Sequence, residues 1–238
     1  MPGPPKSDAT HKPPFETEEL RQKLAEFLDM EVEVPGSKAK KKVGNFQFGI
    51  YAFFDYDKEP IYVGQTNEQI RTRIRRHLTN QRTDAVAMNV LDPFEVYQIE
   101  VWPLPELEGK DSKDAAAKKI LNALEYQIFV KLREESSFKA VLNEKEPGKP
   151  DFEVEIPHSY KGIVVSDEVF AIRNHPDVRI ARRASTLSRL AQIISERQVQ
   201  RGLRNTLLTQ ATRLRALTER RLRGLEEKAK KQGAEPEE

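Results

Sequence analysis

The run Phe46-Gln47-Phe48-Gly49-Ile50-Tyr51-Ala52-Phe53-Phe54 is rich in aromatic and apolar residues, and Pro60-Ile61-Tyr62-Val63-Gly64 follows it across the polar stretch Asp55-Tyr56-Asp57-Lys58-Glu59. Strand-forming residues on both sides of a short polar turn make an antiparallel hairpin. This hairpin constrains the fold more than any other feature of the chain. Just after it, Ile70, Ile74 and Leu78 recur at four-residue steps, which predicts a helix with one apolar stripe and Asn67 available as its N-cap. Arg73 and His77 lie one turn apart on a shared face of that helix. Arg71 points about 160° away from Arg73 at 100° per residue.

Phe94-Glu95-Val96-Tyr97-Gln98-Ile99-Glu100-Val101-Trp102 alternates apolar and polar residues and reads as a third strand, with Trp102 as core or strand-end packing. The stretch from Asp114 to Leu132 reads as a helix whose apolar stripe is Leu121, Leu124, Ile128 and Leu132. Glu125 sits at the edge of that stripe, where a carboxylate is costly unless it has a partner or a metal. Glu16 to Leu28 places Leu20, Leu24, Phe27 and Leu28 on one face and reads as a short docking helix. The fold class that results is α+β, a small three-stranded antiparallel sheet flanked by helices.

Gly49-Ile50-Tyr51, then Tyr62-Val63-Gly64 eleven residues after the tyrosine, then Arg73 and His77, resembles the GIY-YIG nuclease superfamily, with Val63 in place of the middle isoleucine. Valine for isoleucine is a mild change, because both are β-branched and apolar. The resemblance runs from about Phe46 to Asn143, less than half the chain. It implies a DNA endonuclease that hydrolyses phosphodiester bonds, of a restriction, defence or repair type, with Tyr51, Tyr62, Arg73, His77, Glu125 and Asn143 as its catalytic set. It places Glu125 as the metal ligand, Asn143 as the closing asparagine and Tyr51 as the base toward water. A phenol with a reference pKa of about 10 is a weak base unless its proton is drawn away. The candidate acceptors are His77 and a water held by the metal.

The residue types suit that chemistry. Phosphodiester hydrolysis needs an activated water and neutralisation of charge developing on phosphate and leaving oxygens. Glu125 is the only carboxylate of the motif, so the expectation is one Mg²⁺ (or Mn²⁺) per active site, with water and phosphate completing its shell. Arg73 offers a planar fork for the scissile phosphate. Tyr62 would orient water or phosphate, and Gly49 and Gly64 would admit close backbone approach. Taken singly, each residue has a plainer reading: a packed strand aromatic, a solvated helix charge, an exposed imidazole. The competing function is a nucleic-acid-binding protein that retains the fold without the chemistry.

Outside the motif, residues 1–15 are Pro-rich and polar and are expected to be disordered. Residues 16–157 form the expected nuclease domain, and residues 158–238 a connector followed by a basic helical extension. The connector holds a possible short strand at Gly162-Ile163-Val164-Val165. A helical stretch follows from about Ala184 to Lys231, with a break near Gly202. From Arg179 to Arg223 twelve arginines face two acidic residues, a net charge of +10 in a chain of only +2, so a basic arm joins an acidic body. That arm could grip DNA, pair two subunits as a homodimer, or fold back with its arginines solvated; arginine in place of lysine favours phosphate contact. The run Gly36 to Lys42 and Arg82 are further candidate DNA contacts or plain surface charges. There is no cysteine, and His11, His77, His158 and His175 lack metal-ligand spacing. With no signal-like or membrane-spanning apolar run, the expected location is the cytoplasm of a prokaryote.

Overall fold

The computed structural model describes residues 15–34, 38–79, 90–143, 145–199 and 201–232. The expected disorder before Phe15, residues Gly36 and Ser37 of the basic run, and Arg82 lie outside these residues. Helix α1 (Phe15–Leu28) leads into a small hairpin of β1 (Glu31–Glu33) and β2 (Lys40–Lys42). The main hairpin follows as β3 (Gly49–Phe54) and β4 (Pro60–Thr66), then α2 (Ile70–Leu78), β5 (Gln98–Pro103) and α3 (Ala115–Glu135). β6 (Tyr160–Ile163), α4 (Asp167–Arg173), α5 (Pro176–Glu196) and α6 (Arg201–Gln232) complete the chain.

β3 is the centre of an antiparallel sheet ordered β4-β3-β5-β6. All six of its residues are buried, because both faces are covered. Tyr51 and Phe53 join a core with α1 and α2, while Ile50, Ala52 and Phe54 join a second core with Trp102 and α3. Strand periodicity thus serves two apolar layers here, which is why the run carries so few polar residues.

The sheet has four strands where three are expected. The additional strand comes from the connector, where Tyr160 to Ile163 pairs with Val101 to Gln98 of β5. The boundary drawn at residue 157 therefore falls just before a strand that the main sheet uses. β5 itself begins at Gln98 and not at Phe94, because Asp92 caps a 3₁₀ turn at Pro93–Glu95 by accepting from Phe94 N. Asn67 is not the N-cap of α2. That helix starts three residues later with no side-chain cap, its Ile70 N–H donating instead to Phe46 O at 2.9 Å, while Asn67 Nδ2 donates to Ser112 O at 2.7 Å.

The basic run is absorbed structurally. Lys42 and Lys40 pair across strands with Glu31 and Glu33, Lys41 bonds Glu108 and lies over Phe46, and Lys42 reaches Asp29 at 3.5 Å. Opposite charges directly across a strand pair are favourable neighbours.

The helical extension folds back on the body as a hairpin, α5 ending at Glu196 and α6 starting at Arg201, ahead of Gly202. Leu190, Ile194 and Leu203 pack with Val90, so this part of the apolar stripe is covered within the chain, while Leu208, Leu222 and Leu225 of α6 are exposed. The arginines are taken up by the acidic turn between β3 and β4. Arg183 bonds Asp55 and reaches Glu95 at 3.3 Å, and Arg179 grips Asp57 with bonds of 3.1 and 2.5 Å. Arg220 also reaches Asp57 at 3.0 Å. Arg213, only 1 % exposed, donates to Pro60 O at 3.2 Å and Ala140 O at 3.0 Å. The arm thus offsets the acidic charge of the body along this contact, with Arg179, Arg183 and Arg213 buried and Arg220 exposed. Among the described residues, no helix is long and apolar enough to cross a membrane.

Candidate active site

β3 and α2 bring three of the expected residues into one buried cluster. Tyr51 is on the β3 face that α2 covers and is 0 % exposed. Its hydroxyl lies 2.8 Å from His77 Nε2 and accepts from Arg73 Nε at 3.3 Å. The direction of the Tyr51–His77 bond follows the imidazole tautomer, and the imidazole is neutral in either case. Burial, reinforced by the nearby charges of Arg73 and Arg76, holds His77 down to about 3. Burial likewise pushes Tyr51 well above the phenol range despite Arg73. His77 Nδ1 is buried without a hydrogen-bond partner among the described residues.

Tyr62 of β4 shares the face, with its ring 6.2 Å from Tyr51 and 5.2 Å from His77, and it is only half-buried. Gly64 is paired with Tyr51 across the strands. A Cβ there would lie 2.6 Å from the Tyr51 hydroxyl oxygen and 2.8 Å from Tyr62 Cε1, so only glycine lets both rings reach this position. Gly49 is held as closely, since a Cβ would meet Trp102 O at 2.8 Å.

Glu125 stands on α3, on the other side of the sheet. Gln65 links it to β4, donating through Nε2 to Glu125 Oε2 at 3.1 Å and to Asn122 Oδ1 at 2.8 Å. Burial raises the Glu125 carboxyl to about 7, against the Gln65 hydrogen bond and the Arg73 charge. Asn143 does not reach this group. Its side chain takes Val63 N at 2.9 Å and gives to Val63 O at 2.7 Å, which satisfies an edge position of β4 as a paired strand would. Arg73 and Gln65 both line a cleft of about 460 Å³ between the end of β4 and the first turns of α3.

The structure therefore gathers Tyr51, Tyr62, Arg73 and His77, ties Glu125 to β4 through Gln65, and sets Asn143 against the β4 edge at Val63. Gln65 is the residue that sequence reasoning passed over. Its signal was positional: two residues after Val63 on the same strand face, it had to point at α3. Arg71 turns the other way, bonding Asn45 Oδ1 at 2.9 Å and Asp29 at 2.8 Å.

No match is found among curated proteins or among solved structures. Residues 47–138, the span that holds β3 through α3, match the family model described as the GIY-YIG catalytic domain, and this part of the chain is a GIY-YIG domain.

Proposed function

We propose that the protein is a metal-dependent DNA endonuclease that cuts at the cleft between Arg73 and Glu125. The observation that carries this reading is that Arg73 lines an open cleft together with Gln65, whose amide holds the buried Glu125 carboxylate on α3. Arg73 is anchored through Nε on Tyr51, which leaves the rest of its fork for the scissile phosphate. The Tyr51–His77 pair, with neither member favouring a charged form, serves to aim Arg73. Tyr62, the less buried phenol, is the one positioned to contact the attacking water.

Glu125 fits a hard divalent ion. It is a lone carboxylate held by one amide, and no group of three or more His, Asp or Glu gathers elsewhere among the described residues. A donor set this small suits Mg²⁺ or Mn²⁺, which keep several waters and take the rest of their shell from substrate phosphate. Such an ion supplies charge neutralisation at the phosphate and the departing oxygen. Glu125, with a carboxyl raised to about 7, is readily deprotonated when a cation is offered.

Supercoiled plasmid, single strands and branched DNA incubated with Mg²⁺, Mn²⁺ or EDTA test the reading. Cleavage is expected only with metal, Glu125→Ala abolishes it while DNA binding persists, and Arg73→Ala slows it by at least about a hundredfold. Full activity in EDTA or in Glu125→Ala would refute the assignment. Binding with no cutting under any metal would leave a nucleic-acid-binding module without hydrolysis.

A further inference from the structure

Resting on that nuclease reading, we propose that the cleft beside Arg73 seats the nucleotide next to the scissile bond and that Lys113 and Lys118 bind the neighbouring backbone phosphate of DNA. The cleft is lined on one side by Gln65, Thr66, Asn67, Glu68 and Arg73, and on the other by Ser112, Lys113, Lys118 and Leu121, with Phe48 at its base. Its volume of about 460 Å³ is in the range that holds an organic ligand.

Three cations, Arg73, Lys113 and Lys118, face one carboxylate in this lining, and that carboxylate is already engaged, since Arg76 holds Glu68 at 2.7 Å. The two acids nearest in sequence are occupied by backbone: Asp111 accepts from Lys113 N at 2.7 Å and Asp114 from Ala117 N at 2.7 Å. Lys113 and Lys118 are exposed and make no ion pair among the described residues, unlike the arginines docked on the β3–β4 turn. An anion is therefore the ligand whose charge this cleft matches.

Its position selects a phosphate of the same strand. Lys118, Leu121, Asn122 and Glu125 follow one another at helical spacing along a single face of α3. Lys118 is seven residues, about 10 Å of helix axis, from Glu125. A DNA strand with its scissile phosphate at Arg73 and Glu125 then runs past Lys118 and Lys113. Phe48 and Leu121 give the intervening sugar or base an apolar wall. The Asn67–Ser112 bond at 2.7 Å ties the two loops of the cleft together before substrate arrives, which lowers the ordering cost of binding.

The test compares the full chain with K113A/K118A and K113R/K118R, using plasmid cleavage with Mg²⁺ and binding of a labelled duplex at several salt concentrations. Loss of two phosphate contacts is expected to flatten the log K against log salt slope by about 1.8 and to raise KM about tenfold or more. kcat is expected to stay within about twofold and the arginine pair to restore binding, since both lysines lie away from the reacting atoms. A protein that cuts DNA while K113A/K118A keeps the parental salt slope and KM overturns this inference alone. A parent chain that neither binds nor cuts DNA overturns the nuclease reading and this inference with it.

Discussion

Acid should weaken this protein through His77, and the size of the effect follows from its surroundings. The imidazole is 2 % exposed, is hydrogen-bonded to the Tyr51 hydroxyl, and is held to about 3, whereas in the unfolded chain it titrates near 6.5. Above pH 6.5 both states are neutral and the group has no effect. Below it the unfolded chain gains a proton that the folded one refuses, so stability falls as the pH drops toward 3. At about 1.36 kcal/mol per unit, acidifying to pH 4 removes roughly 3 kcal/mol. That is a large share of a typical stability of 5–15 kcal/mol. Glu125 and Glu95 act with the opposite sign, since burial raises both carboxyls and the folded state gains from their protonation. Comparing the parent with His77→Gln cancels their effect, and glutamine keeps an acceptor for Tyr51. Urea unfolding followed by the fluorescence of Trp102, the only tryptophan, provides the readout between pH 7.5 and 4. The parent is expected to lose about 3 kcal/mol more than the variant over that interval. Parallel pH curves for the two proteins would show that His77 is not held neutral, and the argument would fail.

Gly64→Ala is expected to displace both tyrosines, cut the cleavage rate by about a hundredfold and lower stability by about 1–3 kcal/mol; a fully active variant would refute the close approach. Arg183→Leu strands Asp55 and Glu95 inside the contact between the arm and the β3–β4 turn, and urea unfolding should show a loss of about 3–5 kcal/mol, with a loss under about 1 kcal/mol contradicting it. Ending the chain after Pro157 removes β6 and the arginines that neutralise the acidic turn. Calorimetry should then find no cooperative transition, and a sharp one would show that the extension is dispensable. Arg71→Ala is expected to lower stability through its lost bonds to Asn45 and Asp29 while leaving kcat unchanged, the reverse of Arg73→Ala. Sensitivity of kcat at Arg71 would place the motif in the wrong register.

What was legible in the sequence was local. The β3–β4 hairpin, α2, α3 and α1 each announce themselves through side-chain periodicity, because a repeat of two or of about 3.6 residues is dictated by the backbone before any partner is chosen. The same periodicity put Arg73 and His77 on one helix face and Glu125 at the edge of an apolar stripe. Contacts between residues far apart in the chain were not written in any repeat. β6 overlaps the short strand expected at Gly162 to Val165 but starts at Tyr160 and ends at Ile163, because its register is set by the unpaired edge that β5 offers. Asn67 lost the cap to a backbone bond that Ile70 N–H donates to Phe46 O, and Gln65 found Glu125 only when α3 packed on the sheet. The basic extension shows the difference most plainly. Its arginines could be counted in the sequence, but one guanidinium can bind a DNA phosphate or a protein carboxylate equally well. Only the folding of α5 and α6 onto Asp55, Asp57 and Glu95 decided which charge it meets, because burial makes the nearest partner, and not the net charge, the controlling quantity.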